Sequence, residues 1–260
     1  MREVYPPEVR SAVIRTVESW TKFCGLPEEV KTNINYENGF GYELKKVPGK
    51  RLDLKENFHV ALAGHNRLTK IAKTLGVLEI EQFIEDGERL IKLVIPLIKD
   101  FSEKTESGFG LKGLTEEVMA NQDSWTIRFL HYFGVGEKGS EMAAPHSDKG
   151  GFTLHLYEGD SGLQCLNFEN EWVGMPVSEK ETVIIAGMQL QYRSQNKLKA
   201  LCHRVVSTPK TAKSGRYSAV CFISLKKTPA YNKDGFGRLQ EFPPGFNYTM
   251  PFSEFSKMFV

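Results

Sequence analysis

The sequence predicts a mainly β fold, a β-sandwich or jelly roll braced by helices, on three observations. After residue 123 the apolar period changes from three or four residues to two. Short strand candidates then recur, separated by Gly, Asn and Pro. The first half carries helical stripes instead.

The elements follow in order. Val9, Val13, Val17 and Trp20 form one stripe, so Val9 to Lys22 reads as a helix ended by Gly25 and Pro27. Asn33 to Gly49 contains Asn38-Gly39, Gly41 and Pro48-Gly49 and reads as turns and short extended pieces. A helical region from about Arg67 to Phe101 is interrupted at Gly76, and Pro96 is expected to kink or split it. Ser107 to Gly110 reads as a loop, and Thr115-Glu116-Glu117 as the start of a short helix with acids at its positive end. Trp125, Ile127, Phe129, His131 and Phe133 alternate with Thr126, Arg128, Leu130 and Tyr132, which is a strand. Further strand candidates are Phe152 to Tyr157, Leu163 to Phe168, Thr182 to Ala186, Leu201 to Val206 and Arg216 to Leu225. The tail from Tyr231, rich in Gly, Pro and Phe, reads as an ordered wrap. The expected organisation is a single domain over 1–260, with helical support over 1–122, the β core over 123–226 and a C-terminal wrap over 227–260.

Composition narrows the function. A formal charge of +2 on 260 residues does not suggest a nucleic-acid binder. No run of 18 apolar residues offers a membrane span. The four cysteines lack a CxxC pair and the N-terminus lacks an export signal, so a reducing cytoplasm is expected. Nothing points to a protein partner.

The chemistry concentrates in Ala144-Pro145-His146-Ser147-Asp148-Lys149-Gly150-Gly151. In extended chain, residues two apart share a side, so His146 and Asp148 would aim an imidazole and a carboxylate at one point. His203 is the third candidate ligand. Two imidazoles and one carboxylate on one face of a metal leave room for reactants, which suits a non-heme Fe(II) enzyme that uses oxygen. Thirteen residues on, Arg216 and Ser218 share a strand face; a guanidinium fork beside a hydroxyl is suited to a carboxylate. A 2-oxo acid could chelate iron through its 1-carboxylate and keto oxygen while Arg216 takes its far carboxylate. The plain alternative for Arg216 is a salt bridge with a surface acid. His131, His155, His59 and His65 read as structural or exposed, although His155 could line a substrate pocket; Arg204 should face away and brace the scaffold.

These segments together resemble the iron- and 2-oxoglutarate-dependent dioxygenases of the isopenicillin N synthase-like branch, which includes plant oxidases. The resemblance rests on Gly41-Tyr42 with Asp53-Leu54-Lys55-Glu56-Asn57-Phe58, on Arg128 to Phe133, on Gly162-Leu163-Gln164 and Glu171-Trp172-Val173, and on the His203-Arg204-Val205 and Arg216-Tyr217-Ser218 motifs. It implies a distorted double-stranded β-helix with supporting helices, and Fe(II), 2-oxoglutarate and O2 as the reacting set. It implies His146, Asp148 and His203 as metal ligands, with Arg216, Ser218 and Tyr132 binding 2-oxoglutarate. No catalytic residue is implied beyond the metal ligands. A small organic substrate would be hydroxylated, desaturated or cyclised with release of succinate and CO2. Related halogenases have a small residue at the place of Asp148, so halogenation is not expected. The chain departs from the pattern at Leu130, where plant members carry Asn, and at Met188, where many carry Asp. Its first helix reads as the one that follows the family's first strands, so the N-terminal edge is expected to be missing or rebuilt. Two rivals stand beside this reading: a same-fold oxidase that does not use 2-oxoglutarate, and a catalytically silent metal- or ligand-binding jelly roll.

Overall fold

The computed structural model describes residues 1–45, 54–134, 137–225 and 251–255. The chain opens with strand β1, Arg2–Val4, followed by helix α1, Pro7–Cys24. The predicted stripe of α1 is buried at Val9, Val13, Val17 and Trp20. The short helix α2, Glu28–Lys31, leads to strands β2, Gly41–Lys45, and β3, Lys55–Val60. Helix α3, His65–Leu75, ends at Gly76 in the left-handed conformation, φ 62°. Helix α4 then runs unbroken from Leu78 to Phe109.

That continuity corrects two expectations. Pro96 lies inside α4 without splitting it, and the segment expected as a loop from Ser107 is helical as far as Phe109. A proline in a helix interior costs about 3 kcal/mol. Each fully buried large apolar side chain returns roughly 1.5–3 kcal/mol, and Leu90, Ile91, Val94 and Ile98 are all fully buried around Pro96. The helix stops only at Gly110, again left-handed, φ 65°.

After helix α5, Leu114–Met119, the β half follows: β4, Thr126–Tyr132; β5, Glu141–His146; β6, Phe152–Glu158; β7, Leu163–Leu166; β8, Trp172–Gly174; and β9, Glu181–Ala186. Helix α6, Met188–Arg193, precedes β10, His203–Val206; helix α7, Thr211–Ser214, precedes β11, Arg216–Ile223. Of the C-terminal wrap, only residues 251–255 are described; there helix α8, Phe252–Phe255, buries Phe252 against Tyr192, ring centroids 5.6 Å apart. The rest of the expected wrap lies outside the described residues, as does Asp53.

The strands form two antiparallel sheets. The major sheet has the order β1-β9-β6-β11-β4-β3-β2 and the minor sheet β5-β10-β7-β8. The period-two reading of β4 sorts correctly: Ile127 and Phe129 join the core beneath the helices, whereas Leu130 and Tyr132 join the core between the sheets. Trp20, Phe23 and Phe83 meet Phe58 and Phe129 on the helix side, with ring centroids 5.0–6.5 Å apart. This docking leaves the other face of the major sheet to the minor sheet and to the site.

Several strands escaped the sequence reading, among them β5 and two more that show why. One, β1, pairs with β9 from Arg2 opposite Val183 to Val4 opposite Glu181, so the N-terminal edge, expected to be missing or rebuilt, carries a strand. Three residues are too few to show a period. The second, β3, is buried at every position because helices cover one face and the barrel interior the other, which erases alternation. Among the described residues, no helix is long and apolar enough to cross a membrane.

Candidate metal centre

The site is built where the minor sheet meets the end of the major one. His146 ends β5 and His203 begins β10, and the two are direct cross-strand partners with ring centroids 4.4 Å apart. Asp148 does not continue the strand. It lies in the loop to β6, and backbone hydrogen bonds fix that loop: Met188 N–H donates to the Asp148 carbonyl at 2.8 Å, Gly187 N–H to Gly151 at 2.9 Å and Gln189 N–H to Gly150 at 3.0 Å. Gly187 is required by this approach, since a Cβ there would sit 2.3 Å from the Gly150 carbonyl oxygen. His146 and Asp148 therefore converge through a clamped turn and not through strand alternation.

Each ligand candidate is held by a second contact. His146 Nδ1 donates to the Ala144 carbonyl at 2.7 Å, and His203 Nδ1 to the Leu201 carbonyl at 3.1 Å. Both rings thus carry the proton on Nδ1 and turn an Nε2 lone pair inward, the tautomer that a metal needs. The Thr153 hydroxyl donates to Asp148 Oδ2 at 2.6 Å, while Oδ1 lies 3.8 Å from His146 Nε2. Ligand atoms of His146, Asp148 and His203 all fall within 4.8 Å of one another. This donor set fits a divalent metal with open coordination positions. Burial keeps the His203 imidazole well below its usual pKa and so neutral. Burial alone would raise the Asp148 carboxyl, but the His203 and His146 rings, when protonated in the acid range, and the Thr153 hydroxyl outweigh it and hold it low.

A cavity opens on these ligands, lined also by Lys55, Arg128, Tyr132, His155, Ser218 and Phe222. Ser218 and Tyr132, both expected near the cosubstrate, face it. Arg216 is fully buried on the same strand as Ser218, directly opposite Tyr132. Its Nη2 donates to Glu158 Oε2 at 2.5 Å and to the Asp160 carbonyl at 3.2 Å, while Nε and Nη1 are buried without a hydrogen-bond partner. The salt bridge considered from sequence exists, therefore, but with an interior acid, and it leaves two donors of the fork open. Burial would raise the Glu158 carboxyl; Arg216 and His155 outweigh it and keep it ionised.

His155 is the site residue that the sequence undervalued. It is 3% exposed, its Nδ1 meets Glu158 at 2.8 Å, and its Nε2 has no partner. The other histidines serve the scaffold: His131 Nδ1 meets Glu56 at 2.8 Å and His65 meets Glu88 at 2.9 Å. Cys24, Glu56 and His131 also bring ligand atoms within 4.8 Å, yet the Lys31 ammonium already sits 2.6 Å from Glu56. Arg204 faces away, as expected, over the Trp172 ring at 4.2 Å and against Gln164. Leu130 lines the cavity, and Met188 acts through its backbone.

Comparison with known proteins agrees with this geometry. Residues 125–225 match the model of the 2OG-Fe(II) oxygenase superfamily. The chain is 24% identical over 233 residues to a 2-oxoglutarate-dependent dioxygenase of Didymella fabae, covering 78% of this chain and 68% of that protein. It is 27% identical over 204 residues to jasmonate-induced oxygenase 1 of Arabidopsis thaliana, covering 73% of this chain and 48% of that one. The fold resembles that of a full-length Neurospora crassa protein solved in complex with alpha-KG, with a TM-score of 0.68 at 21% identity over 86% of this chain and 74% of that one.

Proposed function

We propose that this chain is a member of the 2OG-Fe(II) oxygenase superfamily and oxidises a small organic substrate through iron held by His146, Asp148 and His203. The reaction consumes 2-oxoglutarate and O2 and releases succinate and CO2, with hydroxylation, desaturation or cyclisation as the outcome. The observation that carries the assignment of ligands is the pair of Nδ1-to-carbonyl hydrogen bonds, which turn two Nε2 lone pairs toward one carboxylate. The motifs favour the isopenicillin N synthase-like branch within the superfamily.

Bound iron supplies oxygen activation coupled to decarboxylation of the 2-oxo acid. The chain's own residues do the positioning. Thr153 fixes one oxygen of Asp148 and leaves the other for the metal. Arg216, through its open Nε and Nη1, and Ser218 take the distal carboxylate of 2-oxoglutarate, with Tyr132 beside them on the facing strand. The intersheet apolar side chains Leu163, Val205 and Val220 line the cavity and exclude water from it.

One observation favours a second reading. Glu158 already neutralises Arg216, which is what an oxidase of this fold that does not use 2-oxoglutarate would tolerate. Cosubstrate labelled at C1 separates the two. Labelled CO2 should appear in step with succinate, and His146→Ala or Asp148→Ala should abolish both. No labelled CO2 from the wild type, or unchanged release from either variant, refutes the assignment.

A further inference from the structure

The cavity wall carries a cation that neither the metal nor the cosubstrate uses. Arg128 lies on β4 in phase with Leu130 and Tyr132, so alternation sends it between the sheets. It lines the same cavity as His146, Asp148 and His203. Its guanidinium carbon stands 4.7 Å from the centre of the Phe222 ring, a stack that leaves the in-plane N–H edge available. Its Nε is buried without a hydrogen-bond partner, and among the described residues no carboxylate lies within 4.0 Å of it. The comparison within the molecule is direct. Arg216 is paired with Glu158 and Lys31 with Glu56, whereas Arg128 faces His59, which burial and Arg128 itself hold below its usual pKa. Glu43 stands behind His59, where it already engages His59 and Asn57.

Arg128 is also remote from the proposed cosubstrate clamp. Arg216 pairs with Tyr132 and Val220 with Arg128, so the two arginines are four residues apart along the wall, about 13 Å at strand rise. We propose that Arg128 anchors the carboxylate of the primary substrate, with Phe222 flanking the anchor, so that the enzyme acts on small organic acids. This rests on the oxygenase reading above and adds the substrate class to it.

The test uses matched pairs of small carboxylic acids and their primary amides, with protein loaded anaerobically with Fe(II) and 2-oxoglutarate. Binding is read by equilibrium dialysis with mass spectrometry, and cosubstrate affinity by calorimetry. Binders should be acids, at least about tenfold tighter than their amides. Arg128→Leu should erase that preference, Arg128→Lys should keep part of it, and both should bind 2-oxoglutarate within about twofold of wild type. Should the leucine variant fail to fold, the lysine variant carries the comparison through a partial loss of preference. Amides binding as well as acids, no acid binding at all, acids bound undiminished by either variant, or loss of 2-oxoglutarate affinity in their place each overturn the proposal. Failure of the wild type to bind 2-oxoglutarate instead overturns the oxygenase reading.

Discussion

Replacing Arg216 by methionine separates two tasks that this side chain combines. It is the counter-ion of Glu158, with Nη2 2.5 Å from the carboxylate and a side chain that is 0% exposed. It is also the proposed clamp for 2-oxoglutarate. Removing one member of a buried ion pair strands the other and costs about 3–5 kcal/mol. In a chain of this size that lowers Tm by roughly 6–20 °C. A charge-assisted hydrogen bond contributes about 1.5–3 kcal/mol, which corresponds to roughly 10- to 150-fold in cosubstrate affinity. Lost turnover in the single variant would not distinguish the tasks. The double variant Arg216→Met with Glu158→Gln does, because it removes both charges and leaves groups of similar volume, a change that is often close to neutral. Its Tm should return to within a few degrees of wild type, while calorimetry should still find 2-oxoglutarate bound at least about tenfold more weakly. A double variant that recovers wild-type cosubstrate affinity would reduce Arg216 to a structural counter-ion.

Two further outcomes follow from the packing. Gly187→Ala places a Cβ 2.3 Å from the Gly150 carbonyl oxygen and 3.0 Å from that of Asp148, so the ligand loop must shift. Displaced supports of this kind weaken metal binding by about 10- to 100-fold, and an unchanged Fe(II) affinity in an anaerobic titration would contradict it. Under acid, burial would raise Glu56, but His131, Lys31 and Tyr42 outweigh it and lower its pKa from 4.5 to about 2. A carboxyl depressed on folding stabilises above its unfolded value and loses that contribution as pH falls from about 4.5 toward 2, here roughly 3 kcal/mol. Urea midpoints measured across that window should fall less steeply for Glu56→Gln than for wild type, and parallel slopes would refute the role.

The legibility of the site in the sequence followed local geometry. His146, Asp148, His203, Arg216 and Ser218 stood out as candidates because short motifs mark them, and the first three do lie together, although His146 and Asp148 meet through the clamped turn and not through the alternation that suggested them. The tie between His155 and Glu158 could not. Strict alternation puts residues three apart on opposite faces, yet β6 carries an extra residue at Leu156, where Ala219 faces Tyr157 and Val220 faces His155. That bulge returns Glu158 to the interior beside His155. No periodicity announces a bulge. The same limit applied to Pro96, where burial along α4 overrode a local penalty, and to β3, where coverage on both faces hid the strand. The fold class survived these misreadings because it rested on the long alternating β4 and on the punctuated strands after it.

The proposed ligands are divided between parts of the fold that have no covalent reason to meet. The minor sheet supplies two imidazoles, and the acid is steadied by a hydroxyl from the major sheet and by the backbone at the head of α6. A ferrous ion there would act as a rivet across the seam, and its binding energy would count toward closing the barrel. A molecule whose layers have slipped apart would release its iron, so oxygen chemistry would be confined to chains that have finished folding.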